Sequence, residues 1–166
     1  MEKLNTVYLS LGSDLGNREK NISKAIELIE KTAGSIIKQS SLYESVPLGF
    51  QSETLFYNLC LELETPLPPL KLLKSLQRIE LDLGRIKDAS IKTYESRIID
   101  IDILYFNQVT FLNDLLTIPH PHINERKFVL IPLEEIAAQY TDPKNGQTIK
   151  NLLDKCTDKS ELSRIE

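Results

Sequence analysis

The sequence predicts an α+β fold: a ferredoxin-like βαββαβ core, an antiparallel sheet with helices on one face and the active site on the other, and a C-terminal helical extension. Strand-like alternation of apolar and polar residues recurs along the chain. Two helical patterns interrupt it in the order strand, helix, strand, strand, helix, strand. The apolar positions of the strands can share one face, and that is the face helices cover in such a layered fold.

Thr6 to Leu11 sets Val7, Leu9 and Leu11 against Tyr8 and Ser10, and Gly12 and Gly16 are expected to break this strand. Asn17 suits a helix N-cap; the helix stripe is Ile22, Ala25, Ile26 and Ile29, and Gly34 is its stop signal. Ser35 to Glu44 reads as one strand, and Ser45 to Thr54, with Pro47 and Gly49, as a loop. Leu55 to Glu64 alternates cleanly, with Leu55, Tyr57, Leu59, Leu61 and Leu63 opposite Phe56, Asn58, Cys60, Glu62 and Glu64. Pro66, Pro68 and Pro69 lead into a helix with the stripe Leu72, Leu76, Ile79 and Leu83, ended by Gly84. Arg85 to Ser96 is a polar loop. The last core strand runs from Ile98 to Phe106, with Ile99, Ile101, Ile103 and Tyr105 on one face, and Asn107-Gln108 is expected to turn a hairpin before Val109.

A chain of 166 residues predicts one domain. Hydrophobic content of 41% with 27% charged residues is that of a globular protein and excludes the disordered and fibrous classes. The net charge of -4 argues against nucleic acid or an anionic membrane as partner. No run is apolar over a bilayer's width, and the N-terminus lacks the basic-then-apolar pattern of a signal peptide. Cys60 and Cys156 have no metal or redox spacing, so free thiols in a reducing cytoplasm are expected.

The most informative run is Ile98, Ile99, Asp100, Ile101, Asp102, Ile103, Leu104. In a strand its two aspartates point to the same face, where they repel and lose hydration unless a positive group sits between them. A hard divalent cation meets that need, and Mg²⁺ is commonly held by one or two carboxylates plus substrate phosphates. The alternative is an ordinary solvated strand face. In the ferredoxin-like order the first strand lies between the third and fourth. Tyr8, Ser10, Phe56, Asn58, Asp100 and Asp102 would then meet on one open face, which favours the site. Thr117 to Phe128 is a proline-punctuated connection carrying both histidines, His120 and His122, and leading to a short helix. His-x-His could bind Zn²⁺, but no third ligand is evident. Arg126 could pair with phosphate or serve as an exposed helix-end charge.

Leu11-Gly12-Ser13-Asp14-Leu15-Gly16-Asn17-Arg18, Pro47-Leu48-Gly49, Phe56-Tyr57-Asn58, Gln77-Arg78-Ile79-Glu80 with Gly84-Arg85, Arg97-Ile98-Ile99-Asp100-Ile101-Asp102, Pro119-His120-Pro121 and Glu125 to Leu133 occur in one order. From Thr6 to Leu153 the chain thereby resembles the 6-hydroxymethyl-7,8-dihydropterin pyrophosphokinases of folate synthesis. The resemblance implies a single pyrophosphokinase domain over 1–166, a cytoplasmic monomer, and no nucleic-acid or membrane partner. It implies diphosphate transfer from ATP to the hydroxymethyl group of the reduced pterin, with AMP leaving. Asp100 and Asp102 would hold two Mg²⁺ ions. Arg85, Arg97, His120 and Arg126 would meet the triphosphate, with Gln77, Glu80 and Thr117 on the nucleotide side. Phe56 and Phe128 would sandwich the pterin, whose edge Asn58 and backbone groups of Ser45, Val46 and Leu48 would read. The Arg85 loop would close over bound substrates. Glu95-Ser96, Tyr94, His122 and Asn124 depart from the family pattern, all near loop-closing contacts. A metal-dependent phosphohydrolase using Asp100, Asp102 and His120, or a non-catalytic nucleotide- or pterin-binding module, are the competing readings.

Overall fold

Strand β1 (Asn5–Ser13) is paired along both of its edges. On one side runs β4 (Phe56–Thr65), antiparallel, with Val7 opposite Leu63 and Leu11 opposite Leu59. On the other runs β5 (Asp100–Phe106), antiparallel, with Leu11 opposite Ile101. β2 (Ser35–Gln39) and β3 (Leu42–Ser45) pair with successive parts of β4, and β8 (Leu162–Ile165) extends the sheet beyond β3. The order β5-β1-β4-β3-β8 places the first core strand between the third and fourth, as expected. The computed structural model describes residues 3–45, 55–84 and 98–165. The segments 46–54 and 85–97, and with them Val46, Leu48, Arg85, Arg97 and the proposed closing loop, lie outside the described residues.

Helices α1 (Arg18–Thr32) and α2 (Pro69–Asp82) cover one face. Asn17 caps α1 by accepting from the Lys20 N–H, and Pro69 occupies the first turn of α2, where a missing N–H costs nothing. Val7, Leu9, Leu11, Leu59, Leu61, Leu63, Ile99, Ile101 and Ile103 form the core with the apolar stripes of both helices. The opposite face is covered over one half by α3 (Lys127–Ala137) and α4 (Ile149–Lys155), which pack on Tyr8, Cys60, Leu104 and Tyr105. The other half carries the polar residues. Among the described residues no helix is long and apolar enough to cross a membrane.

Several expectations are corrected. Ser35 to Glu44 forms two strands, because buried Ser40 bonds to β4 at the break: its N–H donates to the Cys60 carbonyl and its Oγ accepts from the Cys60 N–H. Ser45 is strand, not loop. Gly12 lies inside β1, while Gly16 takes the turn with φ 67°. A bulge where the β1–β5 register shifts between Tyr8 and Leu9 puts Tyr105 opposite Tyr8, off the Ile99/Ile101/Ile103 face. The chain does turn at Asn107, with φ 50°, but no hairpin with β5 follows. Instead β6 (Phe111–Leu112) pairs with β7 (Thr117–Ile118).

Gly34 also has a reason beyond stopping a helix. A Cβ there would sit 2.2 Å from the Glu64 carbonyl oxygen, whereas one on Gly146 would meet nothing within 4 Å and face only its φ of 74°. Gly34→Ala is expected to cost about 2 kcal/mol or more through backbone displacement, and Gly146→Ala about 1 kcal/mol through conformation alone. Urea denaturation of the two variants separates clash from strain.

Candidate active site

Register turns the strands into rows across the sheet. Asn58, Gly12 and Asp100 form one row over β4, β1 and β5; Cys60, Ser10 and Asp102 form the next. Residues directly opposite share a face, so both aspartates, Asn58 and Phe56 stand on the side away from α1 and α2. Tyr43 and Ser45 of β3 extend the same arrangement beside Asn58 and Phe56. The carboxylates are half-buried at the sheet's edge. At the row's centre is Gly12, where a Cβ would lie 3.1 Å from Asn58 Oδ1 and 3.8 Å from the Phe56 ring. The glycine keeps this floor flat, a role that its expected place outside the strand had hidden.

Asn58 is buried, and its Nδ2 donates to Ser45 Oγ at 2.7 Å. That bond fixes the amide and leaves Oδ1 and one N–H to read a ligand edge. The Ser45 hydroxyl thereby sets the Asn58 amide, in addition to the backbone role expected of Ser45. Phe128 starts α3 and is packed against the second core, with the Arg126 guanidinium 5.7 Å from its ring centre.

On the far side of β5 lies a cavity of about 280 Å³, lined by Leu73 of α2, Ile101, Asp102, Ile103, Thr117 and His120. Gln77 is half-buried one turn beyond Leu73 on α2. Glu80 is 3% exposed and accepts from the Ile101 N–H at 2.8 Å. It therefore holds the backbone between the two aspartates from behind the edge strand.

His120 is placed by β5, its N–H donating to the Leu104 carbonyl at 3.0 Å. Its Nδ1 accepts from the His122 N–H at 3.2 Å, which leaves the proton on Nε2, 3.9 Å from Asp102 Oδ2. Burial, then the neighbouring Arg126 and His122, lowers its pKa to about 4. The imidazole is thus neutral at pH 7, and its approach to Asp102 is a donor facing an acceptor rather than an ion pair. Among the described residues no three His, Cys, Asp or Glu converge as metal ligands. Two carboxylate oxygens plus phosphates suit Mg²⁺ and do not suit Zn²⁺.

Residues 8–138 match the model of the 7,8-dihydro-6-hydroxymethylpterin-pyrophosphokinase (HPPK) family. The chain belongs to this family. It is 39% identical over 136 residues to the 2-amino-4-hydroxy-6-hydroxymethyldihydropteridine pyrophosphokinase of Bacillus subtilis, covering 81% of this chain and 80% of that protein. With the Haemophilus influenzae protein of the same name it shares 37% identity over 154 residues, 92% of this chain and 94% of the other. It is 41% identical over 152 residues to the folic acid synthesis protein fol1 of Pneumocystis carinii, but spans only 20% of that longer chain. A crystal structure of Plasmodium falciparum HPPK-DHPS shares the fold, with a TM-score of 0.76 at 20% identity, over 93% of this chain and 45% of the other. Family membership assigns the reaction class: ATP-dependent diphosphate transfer to hydroxymethyldihydropterin in folate biosynthesis.

The depressed pKa of His120 has a consequence for stability. Between the unfolded value of 6.5 and the folded value of about 4 the unfolded chain binds the extra proton. Stability from this group is full above pH 6.5 and is lost as pH falls towards 4. Thermal unfolding of the ligand-free protein should show that acid-side fall, and His120→Gln should flatten it.

Proposed function

We propose that the polar half of the sheet face is where diphosphate passes from ATP to the pterin. Asp100 and Asp102 hold two Mg²⁺ ions in this reading. The observation that carries it is the row Asn58–Gly12–Asp100, which sets an amide and a carboxylate on one face with a side-chain-free floor between them. In this reading Phe56 and Phe128 take the flat ring by offset stacking, and Asn58 reads its edge.

The nucleotide is placed on the other side of β5, in the cavity lined by Leu73, Thr117 and His120. In this reading Gln77, one turn beyond Leu73 on α2, also serves the nucleotide, and Glu80 acts through the β5 backbone. His120, neutral with its proton on Nε2, donates to a phosphate oxygen, and Arg126 adds charge near the same point. Arg85 and Arg97, by their place in the motif, complete the neutralisation. The hydroxymethyl oxygen then attacks the β-phosphorus, the α–β bridging bond breaks, AMP leaves and the hydroxyl proton passes to solvent. Such a transfer depends on position and charge rather than on a protein nucleophile. Mg²⁺, when bound, neutralises developing phosphate charge and orients the reacting groups. The cytoplasm is the compartment this reading assigns, and the monomer its working state.

AMP formation from ATP and Mg²⁺, measured with and without 6-hydroxymethyl-7,8-dihydropterin, tests the reading directly. AMP is expected only with the pterin; phosphate or pyrophosphate release without it would select a phosphohydrolase, and binding without turnover a non-catalytic module. Asp100→Asn and Asp102→Asn should fold, since the amide is nearly isosteric and relieves repulsion. Each should lose turnover by about 10³-fold or more if charge stabilisation of several kcal/mol is removed. Near wild-type rates would take these residues out of the chemistry. Phe128→Ala should lower pterin affinity by about 0.5–1.5 kcal/mol beyond the lost area while sparing ATP. Calorimetry with each ligand separates the two, and equal losses would mean a misplaced pocket.

A further inference from the structure

Arg18 opens α1, where the helix dipole disfavours a cation. Its side chain nonetheless folds back onto the sheet and is only 23% exposed. Nη1 donates to the Leu55 carbonyl and lies 3.7 Å from Glu44 Oε2, while the guanidinium carbon sits 4.0 Å from the centre of the Tyr57 ring. Each partner is the sequence neighbour of a residue in the pterin pocket. Glu44 precedes Ser45, Leu55 precedes Phe56, and Tyr57 lies between Phe56 and Asn58. Ser45 and Asn58 are themselves bonded. The Leu55 carbonyl belongs to the peptide plane that enters Phe56, so holding it fixes the direction from which the Phe56 ring leaves the strand.

We propose that Arg18 is a positioning residue for the pterin pocket, gripping β3 and the start of β4 so that Phe56 and Asn58 are presented together. The inference rests on the assignment of Phe56 and Asn58 to the pterin. The Glu44 contact, at 3.7 Å, is too long to contribute much by itself. The carbonyl bond and the ring contact matter more, because both use a partly desolvated guanidinium. They also need its planar shape: one face lies on Tyr57 while an N–H points sideways to Leu55, a pairing that an ammonium cannot reproduce.

The test compares Arg18→Ala, Arg18→Lys and Phe56→Ala in the full chain. Thermal unfolding, affinity for a non-hydrolysable ATP analogue, and pterin KM and kcat at saturating ATP are measured. Loss of a charge-assisted bond predicts that Arg18→Ala raises pterin KM by about tenfold. Affinity for the ATP analogue should stay within about twofold, since uniform loss would signal general disruption. Arg18→Lys should recover part of the loss by restoring the carbonyl bond without the stack. Unchanged pterin KM in folded Arg18→Ala overturns the proposal, as does an equal loss for both ligands or a fall in melting temperature alone. If Arg18→Ala does not fold, Tyr57→Leu and Arg18→Lys must each show a selective rise in pterin KM, smaller than about tenfold, and its absence overturns the proposal. Phe56→Ala separates the two levels. An unchanged pterin KM there removes the pocket assignment and the Arg18 role with it; a raised KM there with none in the Arg18 variants removes the Arg18 role alone.

Discussion

A slip of one residue between β1 and β5 would carry Asp100 and Asp102 from the polar face to the face covered by α1 and α2. There they would replace Ile99, Ile101 and Ile103 among buried leucines and isoleucines. The cost of burying two unpaired carboxylates far exceeds the few kcal/mol by which such a domain is stable. The apolar alternation of three strands thus sets the register, and the register sets the site. Asn58, Gly12 and Asp100 meet in one row because Leu59, Leu11 and Ile101 meet in the next on the opposite side.

The same face is then divided. Beyond Cys60 and Tyr8 the sheet carries apolar and aromatic groups, and α3 and α4 close over them. Tyr105 joins that half only because the β5 register shifts by one residue at its C-terminal end. Its hydroxyl donates to Asp142 Oδ2 at 2.6 Å, and its ring lies 4.7 Å from that of Tyr140, tying the C-terminal region to the sheet. The polar half begins where α3 starts, at Arg126 and Phe128. The helical extension is therefore a wall of the site as well as a cover for the core.

The element order, the helix caps and the inward faces were legible because they follow from local rules: period, capping residue and proline placement. The carboxylate pair was legible because two-residue spacing on a strand means one face. What escaped was set by the pairing of distant segments. The bulge that reverses Tyr105 depends on how β5 meets β1. The break at Ser40 depends on its bonds to Cys60, sixty residues into the chain. Gly34 looks like a helix stop until β4 is seen crossing it. Gly12 looks like a strand end until Asn58 and Asp100 flank it. The motif puts Glu80 on the nucleotide side, and only the fold shows that it accepts from the outward N–H of Ile101. Arg85, Arg97, Val46 and Leu48 rest on motif position alone.

Two ionic side chains brace the site from outside the polar face, and their signs differ for a reason. The edge strand β5 presents Asp100 and Asp102 forward, and its backbone offers an outward N–H at Ile101 that needs an acceptor. A carboxylate on α2 supplies one, as a charge-assisted bond that neutral side chains would match less strongly. The start of β4 presents the opposite problem, an outward carbonyl at Leu55 beside an aromatic ring, and a guanidinium is the side chain that satisfies both. Glu80 bonds the backbone between Asp100 and Asp102, and Arg18 bonds the backbone that enters Phe56. Both strands are thus held from behind, through their own backbone groups.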